Sequence, residues 1–228
     1  MISRAVGFAR HLVFGHLCGS TLRRGVSALM SEPPFKLGRT DRRKLLVAIA
    51  ARTPSIMAAD ASRVVDPPSL GHLEWSSWVL AAFQELRPRF GSDEEAIEFL
   101  GRASIKGFDT WVVRIGVWIM LRACRGNLDR IANFFAAGLK QFGDAFTLEI
   151  VKEDNGIDLQ ITRCFYVQFF RAHNLEALTT VLCRLDSLWF DRIDPVRHGL
   201  RFDTDRYTTQ SRGSDRCHFP IVRCTVDR

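Results

Sequence analysis

At 228 residues, with 46% hydrophobic residues that include seventeen Phe and five Trp, the chain can bury a sizeable core, which excludes a wholly disordered protein. Its formal net charge of +7 lies in residues 1–44, where nine Lys and Arg accompany two acids, and the remainder has equal numbers of basic and acidic residues. A nucleic-acid-binding domain carries a basic face of its own, so the sequence predicts no nucleic-acid partner.

Residues 1–44 are predicted to be a basic leader, either disordered or not part of the gene product. Residues 1–29 contain no acid and carry scattered Arg among small and apolar residues. That composition is typical of a transit peptide, and also of an amphipathic segment on anionic lipid. Translation from Met30, which precedes an ordinary polar sequence, is the alternative. The predicted location is cytoplasmic, or organellar if residues 1–29 are a transit peptide.

Residues 45–143 form the predicted helical half. Apolar residues recur at three- and four-residue spacing over 74–90, 96–103, 109–125 and 128–142, after one earlier helix over 42–52. The segment 109–125 is apolar on nearly all sides, which predicts a buried central helix. No apolar run reaches the length of about 20 residues that a transmembrane helix requires.

Residues 144–228 form the predicted α+β half, with a subdomain boundary at 143/144 inside one body. Apolar residues alternate over 146–151 and 157–161 around the turn Asn155-Gly156, whose residues tolerate positive φ, and this predicts a hairpin. Helical spacing follows over 165–171 and 175–193, and two extended segments, 199–209 and 216–226, close the chain. The predicted fold is α+β: an N-terminal helical bundle packed on a C-terminal antiparallel sheet unit.

The six cysteines are neither dense nor evenly spaced, and no secretory signal precedes them. We therefore expect free thiols in a reducing compartment rather than a disulfide framework. Without a Cys-x-x-Cys pair the strongest signal for a zinc site is missing, and the sequence predicts no metal and no cofactor. A site in which Cys164, Cys183, Cys217 and Asp186 bind a metal is kept as an alternative.

Two positions favour a reactive thiol. Cys164 stands where the second hairpin strand meets a helix, and a helix N-terminus lowers the pKa of a thiol. Cys183 and Asp186 are three residues apart on one helix, so the carboxylate could hold a cationic amidine against the sulfur. Each residue also has a structural interpretation, because an intracellular cysteine is more often a buried apolar residue than a nucleophile. His218 alternates with Cys217 on a strand and is predicted to point outward without a role.

The last third of the chain carries several motifs in a fixed order. They are Cys164 to Phe170, Leu182-Cys183-Arg184-Leu185-Asp186 followed by Trp189, Asp194-Pro195-x-Arg197-His198-Gly199-x-Arg201-Phe202, and Gly213-x-x-x-Cys217-x-Phe219. In this order and spacing they resemble the L-2-amino-thiazoline-4-carboxylic acid hydrolase family, over residues 95–226.

The resemblance implies a hydrolase that acts on a carbon–nitrogen bond in a cyclic amidine and opens the named substrate with water to N-carbamoyl-L-cysteine. Such a carbon is an electrophile for a thiolate, while a carboxylate can pair with the ring nitrogens and an arginine with the substrate carboxylate. The resemblance implies catalytic roles for Cys164, Cys183, Asp186 and Cys217, and substrate binding by Arg206, Thr208, His198 and Arg201. The implied partner is a small-molecule substrate, and the oligomeric state stays open.

A second resemblance supplies a different class of function. The C-terminal layout is similar to the V4R-type sensory domains, which bind small ligands. The alternative to an enzyme is therefore a non-catalytic ligand-binding or accessory module of the same fold, in which the cysteines only pack.

Overall fold

The computed structural model describes residues 18–124, 126–139 and 142–224. The described chain combines helices with one antiparallel four-stranded sheet, which confirms the predicted α+β class. In chain order the elements are residues 18–29 (α1), Arg39–Ala59 (α2), Pro67–Leu86 (α3), Asp93–Phe108 (α4), Trp111–Cys124 (α5), Leu128–Leu139 (α6), Thr147–Glu153 (β1), Gly156–Arg163 (β2), Phe165–Ala172 (α7), Thr179–Cys183 (α8), Ser187–Phe190 (α9), Pro195–His198 (α10), Leu200–Phe202 (β3) and Cys217–Arg223 (β4).

Contacts divide the chain into two units. The first contains the residues up to Phe108 together with Phe165–Leu185, and the second contains Asp109–Cys164 together with the residues from Asp186 onward. The sequence suggested a boundary at 143/144 instead. The difference arises because α6 packs on β1 and β2, whereas α7 packs on α3 and α8 packs on α4.

The first unit is a helical bundle in which the start of α3 is specified locally. At the start of α3 the Asp66 carboxylate accepts a hydrogen bond from the Ser69 backbone N–H at 2.8 Å, and the Ser69 hydroxyl accepts one from the Asp66 backbone N–H at 3.0 Å. This reciprocal cap satisfies donors that a helix N-terminus leaves open. None of the described helices is both long and apolar enough to cross a membrane.

The described part of the predicted leader is folded. Cys18, Leu22, Val26 and Met30 are spaced four residues apart and all are buried, with exposed fractions of 2% or less. Side chains at this spacing lie on one face of a helix, so α1 packs its apolar stripe into the first unit. The scattered Arg residues obscured that stripe in the sequence. Residues 1–17 lie outside the described residues.

Two glycines let α1 and α4 cross at close range. A Cβ atom on Gly25 would lie 1.8 Å from the Ala103 carbonyl oxygen, and one on Gly107 would lie 2.1 Å from the Thr21 carbonyl oxygen. Both obstacles are backbone atoms, which cannot rotate away as a flexible side chain could. The backbones of the two helices therefore approach each other only because these positions lack side chains.

We expect Gly107→Ala to destabilise the protein by about 1–3 kcal/mol, because the added methyl group must push α1 away from α4. Gly116→Ala is the matched control, since a Cβ atom there would meet nothing within 4 Å. That control should gain about 0.5–1 kcal/mol from the better helix propensity of alanine. Urea unfolding of the three chains measures both changes. Equal stability of the two variants would contradict the close crossing.

The second unit is built on the sheet, whose strand order is β1-β2-β4-β3 with antiparallel neighbours. The predicted hairpin joins β1 to β2, so that prediction is confirmed. The role of its glycine differs from the prediction, because Gly156 and Asn155 are not among the described residues with positive φ. A Cβ atom on Gly156 would instead lie 2.8 Å from the Ile221 carbonyl oxygen, so glycine allows β2 to approach β4.

Alternation along the strands gives the sheet two different faces. The inner face carries apolar side chains that join α5, α6 and residues 187–193 in one buried cluster, including Leu121, Ile131, Ile157, Leu159, Phe190, Ile193, Leu200, Cys217, Phe219 and Ile221. Phe190 stacks on Phe202 and Phe219, with ring centroids 4.0 and 5.3 Å away. The strand register places polar residues on the opposite, outer face, namely Glu153, Asp158, Gln160, Arg201, Thr208 and His218.

The prediction that residues 109–125 form a buried central helix is wrong. In α5 only Leu121 and Cys124 are buried, while Trp111 is 72% exposed and Trp118 is 56% exposed. Both buried residues belong to the cluster on the inner face of the sheet, to which α5 contributes mainly its C-terminal end. Apolar composition all round a helix therefore did not identify the side that is covered.

Candidate active site

Cys164 is the single residue between the end of β2 at Arg163 and the start of α7 at Phe165, so the predicted strand-to-helix junction is confirmed. Its side chain is buried. By the division of contacts Cys164, Asp186 and Cys217 all belong to the second unit. Cys183 ends α8 in the first unit, where its side chain is half-buried.

Asp186 closes a 3-10 turn, Arg184–Asp186, that separates α8 from α9. The predicted helix over 175–193 is thus interrupted by a tighter turn that ends at Asp186. Burial raises the pKa of the half-buried Asp186 carboxyl from 3.8 to about 7, because a desolvated carboxylate is costly. A carboxyl with that pKa can both accept and donate a proton near neutral pH.

Cys217 begins β4 and lies on the inner face of the sheet, where it is buried. Its sulfur accepts a hydrogen bond from the Gln210 backbone N–H at 3.3 Å. The pKa of the Cys217 thiol is raised to about 11, mainly by burial; the Gln210 N–H opposes this shift and the nearby charge of Asp186 adds to it. Cys217 is therefore a neutral thiol near pH 7 and a poor nucleophile.

Asp186 and Cys217 thus form a pair in the second unit, close enough for the carboxylate charge to act on the thiol. The pair combines a carboxyl that titrates near neutrality with a thiol that stays protonated. Such a combination is suited to moving protons rather than to attack by Cys217 itself.

Arg206, a predicted substrate-binding residue, is already paired. Its guanidinium donates to both carboxylate oxygens of Glu153 at the end of β1, with the Nη1 to Oε2 distance at 2.8 Å. The negative charges of Asp158 and Asp203 also raise the pKa of the Arg206 guanidinium, after the larger effect of the hydrogen bond to Glu153. A substrate carboxylate would have to displace Glu153 to bind Arg206 bidentately.

The other predicted substrate-binding residues are spread over the second unit. Thr208 forms an isolated bridge opposite His218, and Arg201 pairs with Asp203 at 3.4 Å on the outer face of the sheet. His198 ends α10, where its Nδ1 accepts a hydrogen bond from the Asp194 backbone N–H at 2.8 Å. That bond closes a local turn, so His198 has a structural task.

Members of the two predicted groups therefore lie on different faces of the sheet. Cys217 lies on the inner face, and the charge of Asp186 raises the pKa of its thiol. Arg201 and Thr208 lie on the outer face. A small substrate on one face of a sheet does not reach side chains on the other. The structure thus brings together Asp186 and Cys217, and separately Arg201, Thr208 and the Arg206–Glu153 pair.

Sequence reasoning missed Asp158. Its carboxylate is buried, at 1% exposure, yet lies on the outer face, where it accepts hydrogen bonds from His218 Nδ1 at 2.7 Å and the Phe219 backbone N–H at 3.0 Å. His218 does lie on the outer face as predicted, but it is bonded there rather than isolated. The available signal was an aspartate between Ile157 and Leu159 in a strand, a setting in which aspartate is rare.

Comparison with known families shows the family of this chain. The family described as L-2-amino-thiazoline-4-carboxylic acid hydrolase matches residues 76–221, which is more than half of the chain. The chain belongs to this family. No curated protein and no solved structure matches it.

The match to the L-2-amino-thiazoline-4-carboxylic acid hydrolase family covers parts of both units and all eight predicted site residues. It supports a hydrolase-like function of that family. Within the described residues, no three His, Cys, Asp or Glu side chains form a group that could hold a metal ion.

Proposed function

We propose that the chain is a hydrolase that opens a cyclic amidine, with L-2-amino-thiazoline-4-carboxylate as the substrate to test first and Asp186 as its acid–base group. One observation carries the proposal. Within the residues matched by the family, burial holds the pKa of the Asp186 carboxyl at about 7, beside the Cys217 thiol. Perturbed carboxyls of this kind are concentrated at functional sites.

The reaction occurs at the carbon that joins the exocyclic nitrogen, the ring nitrogen and the ring sulfur. Addition at this carbon gives a tetrahedral centre, and its collapse breaks the bond to the ring sulfur, which leaves as a thiol. Ring opening to the named product thus breaks a carbon–sulfur bond rather than the carbon–nitrogen bond that the resemblance implies. The oxygen of water stays on the carbon as a carbonyl, so the product is N-carbamoyl-L-cysteine. Ionised Asp186 takes the proton of the attacking group, and protonated Asp186 gives it to the departing sulfur.

The nucleophile in this scheme is the Cys164 thiol. Its support is its place directly before α7, where backbone N–H groups favour a thiolate. Cys164 adds to the amidine carbon, the ring sulfur departs, and water then releases the product and restores the thiol. Cys217 is assigned a hydrogen-bonding role beside Asp186, because its own pKa is raised to about 11. Cys183, in the first unit, keeps its predicted catalytic role as a separate hypothesis.

The test uses the full chain and substrate labelled with ¹³C at the amidine carbon, so that NMR distinguishes the ring from the carbamoyl group. We expect Cys164→Ala to lower kcat by at least about 100-fold, as expected for loss of a covalent nucleophile. Cys124→Ala is the matched control, because Cys124 is also buried and lies in the cluster at the inner face. A Cys183→Ser variant in the same assay tests the separate hypothesis.

Two outcomes would contradict the proposal. If the wild-type chain produces no N-carbamoyl-L-cysteine, the substrate assignment is wrong. If Cys164→Ala and Cys183→Ser both turn over at the wild-type rate, the thiol mechanism is wrong and water attacks directly.

A second candidate function, binding of a small apolar ligand without turnover, is favoured by one feature. A cleft of about 370 Å³ in the second unit is lined by Val113, Val117, Met120, Phe134, Phe135 and Trp189. Ligand pockets are concave and mostly apolar, and this cleft has both properties. Quenching of protein fluorescence by an apolar ligand, lost in Trp189→Leu, together with absent ring opening would favour this candidate.

A further inference from the structure

The outer face of the sheet carries a hydrogen-bonded chain of side chains that the proposed function does not use. Arg216 Nη1 donates to Gln160 Oε1 at 3.2 Å, and Gln160 Nε2 donates to Asp158 Oδ2 at 2.9 Å. The same Asp158 oxygen accepts from His218 Nδ1 at 2.7 Å. The register pairs Gln160 with His218 across β2 and β4, so these hydrogen-bonded side chains lie on one face of the sheet.

The Asp158 carboxylate fixes the orientation and the tautomer of His218. An ionised carboxylate only accepts hydrogen bonds, so Nδ1 of His218 must carry the proton and Nε2 of the neutral ring must carry a lone pair. The Phe219 N–H donates to the second carboxylate oxygen at 3.0 Å, which holds Asp158 in place. In the neutral form of His198, by contrast, Nδ1 is the acceptor, so Nε2 carries the proton.

The His218 imidazole is accessible to solvent, while the Asp158 carboxylate is not. The His218 side chain is 31% exposed, whereas the Asp158 side chain is 2% exposed. In the described residues, Nε2 of His218 has no hydrogen-bond partner. A carboxylate that orients an imidazole through Nδ1 and leaves Nε2 toward solvent is the arrangement that general-base histidines use.

A cationic side chain next to the imidazole can hold an anionic group of a substrate. Arg216 lies beside Gln160 and His218 with its side chain 41% exposed, so its guanidinium can bind a negative group in front of the imidazole. The other charged groups on this face are Glu149, Glu153, Arg201, Asp203 and Arg206, and two ion pairs, Arg206–Glu153 and Arg201–Asp203, neutralise most of them. The carboxylate that pairs with Arg216 within the described residues is that of Asp215, which is 78% exposed.

We propose that this outer face is a second hydrolytic site, in which His218 is the general base for a small ester that carries a carboxylate. His218 Nε2 takes a proton from water, and the hydroxide adds to the acyl carbon. The ester C–O bond then breaks, and the alcohol leaves with the proton held by the imidazole. Asp158 acts as the positioning residue and Arg216 binds the substrate carboxylate. The site is independent of Asp186 and of the ring-opening reaction, because it occupies the other face of the sheet.

The test measures hydrolysis of the 4-nitrophenyl monoester of succinic acid by the full chain, with 4-nitrophenyl acetate as the uncharged ester. We expect His218→Gln to lower kcat by about 100-fold and to abolish the solvent isotope effect that a general base produces. Asp158→Asn should lower kcat by at least about tenfold without raising KM, because the amide does not hold the same tautomer. Arg216→Gln should raise KM for the charged ester about tenfold and leave the uncharged ester unchanged.

His173→Gln is the matched control, because His173 is 28% exposed and also contacts a buried carboxylate, Asp60, at 2.8 Å. This control should hydrolyse the charged ester at the wild-type rate. Equal rates for His218→Gln and His173→Gln would overturn the proposal and reduce the hydrolysis to ordinary surface imidazole chemistry. Absent hydrolysis by the wild-type chain would overturn it as well, and neither result bears on the ring-opening reaction.

Discussion

Replacing Asp186 by asparagine should stabilise the protein above neutral pH and at the same time slow ring opening strongly. Burial raises the pKa of this carboxyl from 3.8 to about 7. The folded chain therefore binds the proton more tightly than the unfolded chain does. The contribution of Asp186 to stability is greatest below about pH 4 and falls as the pH rises from there to about 7, by up to about 4 kcal/mol for a shift of this size.

Asparagine has the same shape and cannot ionise. Asp186→Asn should therefore gain about 2–4 kcal/mol at pH 8 and less, about 1–2 kcal/mol, at pH 5, as measured by urea unfolding at both values. It should also lower kcat for ring opening by at least about 100-fold, because the proton acceptor is gone. A residue that costs stability and supports activity is the signature of a functional site.

The control for this variant is Asp191→Asn, because Asp191 is exposed and lies five residues further along. Its replacement should change stability by less than about 0.5 kcal/mol at either pH. If Asp186→Asn is no more stable than Asp191→Asn at pH 8, then Asp186 does not bear a buried charge, and the acid–base role loses its physical basis.

Truncation of Phe190 should cause the largest loss of stability. This ring is 4% exposed and stacks on Phe202 and Phe219 of the sheet, with centroids 4.0 and 5.3 Å away. Phe190→Ala removes apolar contacts and leaves a cavity, which typically costs about 3–5 kcal/mol. Because α9 begins directly after Asp186, Phe190→Ala should also displace Asp186. The variant should therefore lose ring-opening activity at urea concentrations at which it is still folded.

Phe134→Ala is the matched control, since Phe134 on α6 is 51% exposed. Its truncation should cost less than about 1 kcal/mol, because little apolar area is removed from contact. Chemical unfolding of both variants measures the difference. A cost for Phe134→Ala equal to that for Phe190→Ala would mean that the outer side of α6 is covered, contrary to the exposure seen.

Local patterns predicted much of this architecture. The β1–β2 hairpin follows from alternation around a turn. The start of α3 was predicted at residue 74, whereas the cap between Asp66 and Ser69 starts the helix at Pro67, because the apolar spacing does not mark the capped first turns. The covered side of α5 did not follow, because an apolar residue at every position does not say where a partner lies. The stripe of α1 was present in the sequence but was obscured by the charge of the leader.

The candidate sites show the same limit. Asp186 was found because its spacing from Cys183 and the family motifs are local features of the sequence. The Asp158–His218 pair was not found, since its partners are 60 residues apart and meet only through the register of β2 on β4. Strand alternation did place Cys217 and His218 on opposite faces, but it did not show that the predicted arginines accompany His218.

The pH dependence of kcat/KM for ring opening of L-2-amino-thiazoline-4-carboxylate, measured from about pH 5 to about pH 9, tests the role of Asp186 most directly, because it reports the titration of essential groups in the uncomplexed enzyme. The rate should rise with pH through an inflection near 7, where the Asp186 carboxyl loses its proton. Asp186→Asn should lack this inflection and retain only the one that belongs to the substrate amidine. An inflection near pH 7 that persists in Asp186→Asn would contradict the account.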